Sequence, residues 1–260
     1  MSHHAGRSIR LGRILLFQPM CTLSFIPNKR GYVVGMNRDE QHLRTRSFPP
    51  AIFGNAIYPY EPSTKGTWLA INSAGLTLAL LNKNEDGPLP VKLRSRGDLI
   101  PALISAESLA DVHRRLLEVG FKGMWPFRLI AISGNEREVC EWSRGTDLTK
   151  NHYDWQPRHW FSSGMSDAEA TRLRTTVVED SWRQPNAGSL SWLRALHQSH
   201  EPQRGAFSIC VHRADASSVS YSEIVYEDGS ATFRYASGSP CQYTAFESEL
   251  SLPAKAAAGI

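Results

Sequence analysis

The sequence predicts an α+β protein, and three observations lead there. Short apolar runs recur along most of the chain, punctuated by Pro, Asn, Asp and Gly, which is the pattern of antiparallel hairpins. Helical spacing of apolar residues is confined to two central stretches, 95–119 and 168–200. No repeat, low-complexity run or linker divides the 260 residues, so one domain is expected.

The first twenty residues hold His3, His4, three arginines and one short apolar run at 14–17. A secretory leader needs roughly 7–15 apolar residues and a small-residue cleavage site, and this segment has neither. Residues 1–20 are therefore expected to lie outside the fold, as upstream sequence or a removed propeptide. A Met directly before Cys21 favours initiation at Met20.

Two strands are expected at 22–26 and 32–36 around a Pro-Asn-Lys-Arg-Gly turn, with Asn37, Arg38, Asp39 and Glu40 following the second. An antiparallel hairpin brings its outer ends together, so Cys21 should lie beside Asn37, Arg38 and Asp39. Such a setting suits a nucleophile. A thiol attacks as thiolate, and a neighbouring guanidinium favours that form. If the chain opens at Cys21, its α-amine titrates near the thiol and can take the thiol proton. A buried strand-start Cys next to a solvated turn is the other reading of the same residues.

Residues 41–50 read as a loop whose Arg44 and Arg46 either meet an anion or face solvent. A second hairpin spans 66–82, with Asn72 in its turn. Asn82 ends the run 76–81, where its amide either serves local backbone or donates to an oxyanion. A helix opens at Ser95, and another runs over 105–119, capped by Ser105 or Ser108, with His113 exposed. Strands follow at 127–132 and 138–142, with Cys140 as a packed core thiol. Residues 153–158 are aromatic and irregular, a possible pocket wall.

Residues 161–167 read as a strand end turning into a helix over 168–180 capped by Asp167. Ser163 stands there with two roles open, substrate contact or cap. A shorter helix covers 191–200. Its His197-x-x-His200 pair has no third ligand, and the four cysteines have no zinc spacing, so neither a metal nor a cofactor is expected. Three strands close the chain at 206–213, 217–226 and 231–235. His212 and Arg213 end the first of them, where Arg213 either binds a substrate carboxylate or serves the hairpin turn. From 237 the end should fray, leaving a domain of 21–242 and a tail of 243–260.

Arg7, Arg10 and Arg13 hold three of the 29 basic residues, and the rest nearly balance the 25 acidic ones. That balance offers no nucleic-acid surface. No apolar run approaches the roughly 20 residues of a membrane span. Widely spaced cysteines suit reduced thiols and a cytoplasmic location. Composition is silent on oligomeric state.

The run M-C-T-L-S-F at 20–25 followed by G-M-N-R-D-E at 35–40 resembles the Asn-Arg-Asp-Glu-motif family of transport and Golgi organisation 2-like proteins. That family is similar to N-terminal-nucleophile hydrolases, and its layout to penicillin V acylases and bile salt hydrolases. The resemblance implies an αββα sandwich of two antiparallel sheets, with Cys21 as nucleophile and Asp39 as its partner. In the acylases the Arg precedes the Asn; here Arg38 follows it and Met36 stands in the other place. Leu80-Leu81-Asn82 is similar to their oxyanion strand end, and Ser162-Ser163-Gly164 and 207–222 to family segments. The implied activity is hydrolysis of a non-peptide amide in a small-molecule substrate. Its alternative is a non-catalytic carrier of an acyl or tetrapyrrole-type ligand on the same fold.

Overall fold

The computed structural model describes residues 20–44, 48–62, 64–84, 94–145 and 147–253. Expectations for 1–19, for Arg46 and for 254–260 lie outside the described residues.

Two antiparallel sheets form the centre. The first has six strands in the order β10-β1-β2-β11-β12-β13. These are β1 (Met20–Pro27), β2 (Gly31–Gln41), β10 (Arg158–Ser162), β11 (Ala216–Glu227), β12 (Ser230–Ser237) and β13 (Ser248–Leu252). The second runs β3 to β9 in chain order. Its members are β3 (Phe48–Phe53), β4 (Ala56–Tyr60), β5 (Leu69–Asn72), β6 (Leu76–Asn82), β7 (Phe127–Ser133), β8 (Glu138–Arg144) and β9 (Leu148–Tyr153).

Side-chain alternation decides what each face meets. Leu23 and Phe25 of β1, Tyr32, Val34 and Met36 of β2, and Ala79 and Leu81 of β6 share the core between the sheets. Their neighbours in sequence point outward. Leu76, Leu78 and Leu80 pack under α1 (Leu99–Leu103) and α2 (Leu109–Val119). Ile26 and Val33 pack under α3 (Asp167–Ser181) and α4 (Leu190–Gln198). The layers are therefore helix, sheet, sheet, helix, as expected.

Several elements differ from the sequence reading. Residues 37–41 continue β2 because β11 pairs with them as far as Gln41. Met20 is buried and begins β1 instead of lying outside the fold. Asn72 ends β5, and the left-handed turn residue is Gly75. The Asn72 amide donates to the Ile104 and Ala106 carbonyls, while its oxygen accepts from the Ala74 and Leu76 amides. It ties the hairpin to the α1–α2 connection. Ser108 caps α2, and Ser166, not Asp167, caps α3. His113 is half-buried and accepts from the Trp142 indole. Trp155 packs on Phe25 and Tyr32, so the 153–158 stretch serves the core. Residues 206–213 form no strand beyond one bridge between His212 and Ser217. The tail does not fray over its described part, because β13 pairs with β12.

Candidate active site

The β1–β2 register sets Cys21 opposite Arg38 and Met20 opposite Asp39. Cys21 and Arg38 continue the alternation of Leu23 and Met36, so both belong to the face toward the second sheet. There they line a cavity of about 220 Å³ with Glu40, Glu61, Asn82 and Arg96. Asn82 arrives from the last position of β6, and Arg96 from the 3-10 turn Arg96–Asp98 that precedes α1. The cavity thus joins the ends of both sheets. Asp39, with opposite parity, is fully buried on the helix-facing side. A bulge in β11 skips one residue between Ser218, opposite Asp39, and Ser220, opposite Arg38. The Ser218 hydroxyl donates to Asp39 Oδ1 at 2.5 Å.

Charge in the cavity is organised by two glutamates. Glu40 accepts from Arg38 at 2.9 Å and from Arg44 at 2.8 Å. Arg44 also forks onto Glu61 at 3.1 and 2.7 Å. Burial would raise the Glu61 carboxyl, but its bonds with Arg44 outweigh that and hold it below its ordinary value. The Arg38 guanidinium lies 4.4 Å over the Trp68 ring, which fixes its plane beside Cys21. Burial, together with repulsion from Arg44, pulls the Arg96 guanidinium down to about 10.

With Met20 attached, the thiol is not activated. Burial and the Asp39 charge push Cys21 up to about 12, against the pull of Arg38 and a bond from the Asp39 amide. Burial raises Asp39 to about 7, opposed by Arg174 and the Ser218 hydroxyl. Asp39 Oδ2 is buried and accepts no hydrogen bond from the described residues. The Cys21 backbone nitrogen donates to the Ser162 hydroxyl at 2.9 Å.

The remaining expected residues lie elsewhere. Asn37 projects to the helix side, where its amide nitrogen donates to the His197 and Ile209 carbonyls. The Ser163 hydroxyl accepts from the Met165 and Ser166 amides, so it closes the turn ahead of α3, whose cap is Ser166. Arg213 forks onto Asp215 two residues on, at 2.9 Å through each nitrogen, the hairpin-turn role. None of the three lines the Cys21 cavity. Sequence reasoning missed Glu40 as a hub, Glu61, Arg96 and Trp68. Glu40 stood within the quoted motif. The others come from loops whose approach to Cys21 depends on how the sheets stack.

Two stacked antiparallel sheets with helices on both outer faces, and a cysteine at the start of an inner strand, define the N-terminal-nucleophile hydrolase fold class. The chain belongs to the Transport and Golgi organisation 2 family, whose model matches residues 20–222. No curated protein matches it. Among solved structures it is similar to a Caenorhabditis elegans ortholog of N-acylethanolamine-hydrolyzing acid amidase. That match has 10% identity and a TM-score of 0.52, covering 79% of this chain and 92% of the other. It is also similar to penicillin V acylase from Agrobacterium tumefaciens, at 11% identity and TM-score 0.45, covering 84% and 82%. A variant of conjugated bile acid hydrolase from Clostridium perfringens matches at 10% and 0.45, covering 89% and 92%. At 10% identity the nematode match speaks for the fold alone. Among the described residues, no helix is long and apolar enough to cross a membrane.

Proposed function

We propose that this protein is a cysteine amidase that acts on a non-peptide C–N bond once its chain opens at Cys21. The supporting observation is that Cys21, Arg38 and Asn82 line one cavity, with Asp39 directly across the strand pair from Met20. Removing Met20 gives Cys21 a free α-amine, and the unpartnered, buried Asp39 Oδ2 is an acceptor suited to it.

In the proposed reaction the α-amine takes the thiol proton, and the sulfur attacks the amide carbonyl carbon. The Asn82 N–H groups and a backbone N–H donate to the oxyanion. The tetrahedral intermediate collapses, and the leaving amine takes the proton from the α-ammonium. Water then loses a proton to the α-amine and attacks the thioester, which yields a carboxylic acid and the free thiol. Arg38 favours the thiolate throughout.

The cavity is smaller than the roughly 300–1,000 Å³ of a drug-sized ligand site. A second cavity of about 630 Å³ shares Arg38, Glu40 and Arg44 with it, so only one end of a longer substrate need enter the Cys21 cavity. Three arginines against two glutamates favour an end that carries negative charge. The activity named for the nematode neighbour also falls on an amide. A cytoplasmic location agrees with the reduced thiols that the reaction needs.

Intact mass and a fluorescent acyl-electrophile probe test the reading. Mature protein starting at Cys21 should be labelled, and Cys21→Ala should not. Equal labelling of the variant would sink it. The carrier reading draws on one observation, the burial of the Cys21 thiol, which pushes its pKa up in the uncleaved chain. Mature protein that retains Met20 would leave only that reading standing.

A further inference from the structure

We propose a structural zinc site made by His200, Cys210, His212 and Cys241. One ligand atom from each of the four residues lies within 4.8 Å of all the others. Cys210 Sγ is 3.5 Å and Cys241 Sγ 3.4 Å from His212 Nε2. A tetrahedral zinc with Zn–S near 2.3 Å and Zn–N near 2.05 Å sets sulfur and nitrogen about 3.6 Å apart. The observed separations already match that edge.

The four residues come from three separate segments. His200 follows the end of α4, and Cys210 and His212 lie on the segment after it. Cys241 sits in the short 3-10 turn Pro240–Gln242 between β12 and β13. The backbone holds them in place independently of any metal. The Cys210 amide donates to the Ser199 carbonyl at 2.9 Å, and the His212 amide to the Gly205 carbonyl at 3.1 Å. A second observation points to a ligand: His200 Nε2 is buried and has no hydrogen-bond partner among the described residues. A buried imidazole nitrogen without a partner costs free energy unless something fills the gap.

The donor set selects the metal class. Two thiolates and two imidazoles suit a borderline-soft cation with tetrahedral preference, and zinc above all. On binding, two thiol protons leave to solvent. Two thiolates then offset the dication, so the site closes with no net charge, as its partial burial requires. With the metal on Nε2 of His212, Nδ1 carries the ring proton. The exposed Arg204, now 3.3 Å from Nδ1, then turns to solvent. Four protein ligands leave no open position, so the role is structural. The ion would clamp the segment after β12 to the end of α4.

The site shares no residue with the proposed chemistry at Cys21, and its test does not depend on that reading. Full-length protein made with zinc in the medium is dialysed under reducing conditions, and metal is counted by atomic emission. We expect one zinc per chain, retained in Cys21→Ala and Cys140→Ser. Cys210→Ser and Cys241→Ser should each bind more than about tenfold more weakly. Cobalt replacing zinc in the wild-type chain should show thiolate charge transfer and a tetrahedral band, a readout that needs no variant to fold. A metal-free wild type, zinc held equally by the cysteine variants, or a cobalt spectrum without thiolate would each overturn the proposal. A Cys210–Cys241 disulfide in freshly purified, unreduced protein would do so too.

Discussion

His197 should make this protein acid-sensitive, and the effect can be isolated with one substitution. One assignment of protons satisfies a buried chain. His159 Nδ1 donates to Ser24 Oγ at 2.8 Å, and Ser24 donates to His197 Nε2 at 2.9 Å. His197 Nδ1 then donates to Asn37 Oδ1 at 3.0 Å. A second proton on His197 has no acceptor in that chain. Burial, with His159 and Arg174 nearby, takes His197 from 6.5 down to about 3. Burial takes His159 down to about 4.

Because the folded values are lower, the unfolded chain binds more protons between each pair of values. The stability held above pH 6.5 is lost as the pH falls toward 3. Each pH unit removes about 1.4 kcal/mol per histidine, so His197 alone costs about 2 kcal/mol at about pH 5. Asp39 opposes this. Its folded value of about 7 exceeds its ordinary 3.8, so its contribution grows as pH falls through 7. The wild-type slope therefore mixes several groups. The difference between wild type and His197→Gln contains one. Urea midpoints across about pH 5 to 6.5 should give slopes that differ by about half a proton at the top of that range and by nearly one, about 1.4 kcal/mol per pH unit, at its foot. Parallel curves for the two proteins would refute the reasoning, whatever offset the substitution introduces.

Two further outcomes are expected. Asn82→Ala should still yield a chain that starts at Cys21 but lower turnover by about 100- to 1,000-fold, with labelling by the acyl probe slowed in step. Unchanged turnover would remove Asn82 from the oxyanion site. Asn72→Ala should leave two amides and two carbonyls of the β5–β6 turn and α1–α2 connection without partners. Denaturant unfolding should register a loss of at least about 3 kcal/mol, and a loss under 1 kcal/mol would contradict it. Close packing makes a position beside His197 equally informative: a Cβ on Gly35 would come to 3.0 Å from His197 Nε2 and 3.1 Å from the Tyr221 hydroxyl.

Much of the first sheet was legible because its evidence is local. A thiol before one apolar run and an Asn-Arg-Asp-Glu sequence after the next must meet across a hairpin, whatever the rest of the chain does. Asn82 was legible for the same reason, as the last residue of an apolar run. The resemblance supplied the sandwich, which periodicity could not. Locally readable polar residues had two roles open, and packing chose between them. Ser163 closed the turn before α3 and Arg213 became a turn ion pair because neighbours within a few residues satisfied them first. Asn37 fell to the helix side by parity alone, one residue from Arg38.

By itself, then, the sequence determined the β1–β2 and β5–β6 hairpins, the helical stretches and the proximity of Cys21 to Arg38, all set by neighbours in the chain, but not β3, β4, β9 or β13. Only tertiary structure decided that Glu40, Glu61 and Arg96 surround that sulfur. It alone brought His200, Cys210, His212 and Cys241 together. Those meetings depend on how layers stack and where loops cross. Most of these contacts join residues tens of positions apart, and no local pattern of hydrophobicity encodes them.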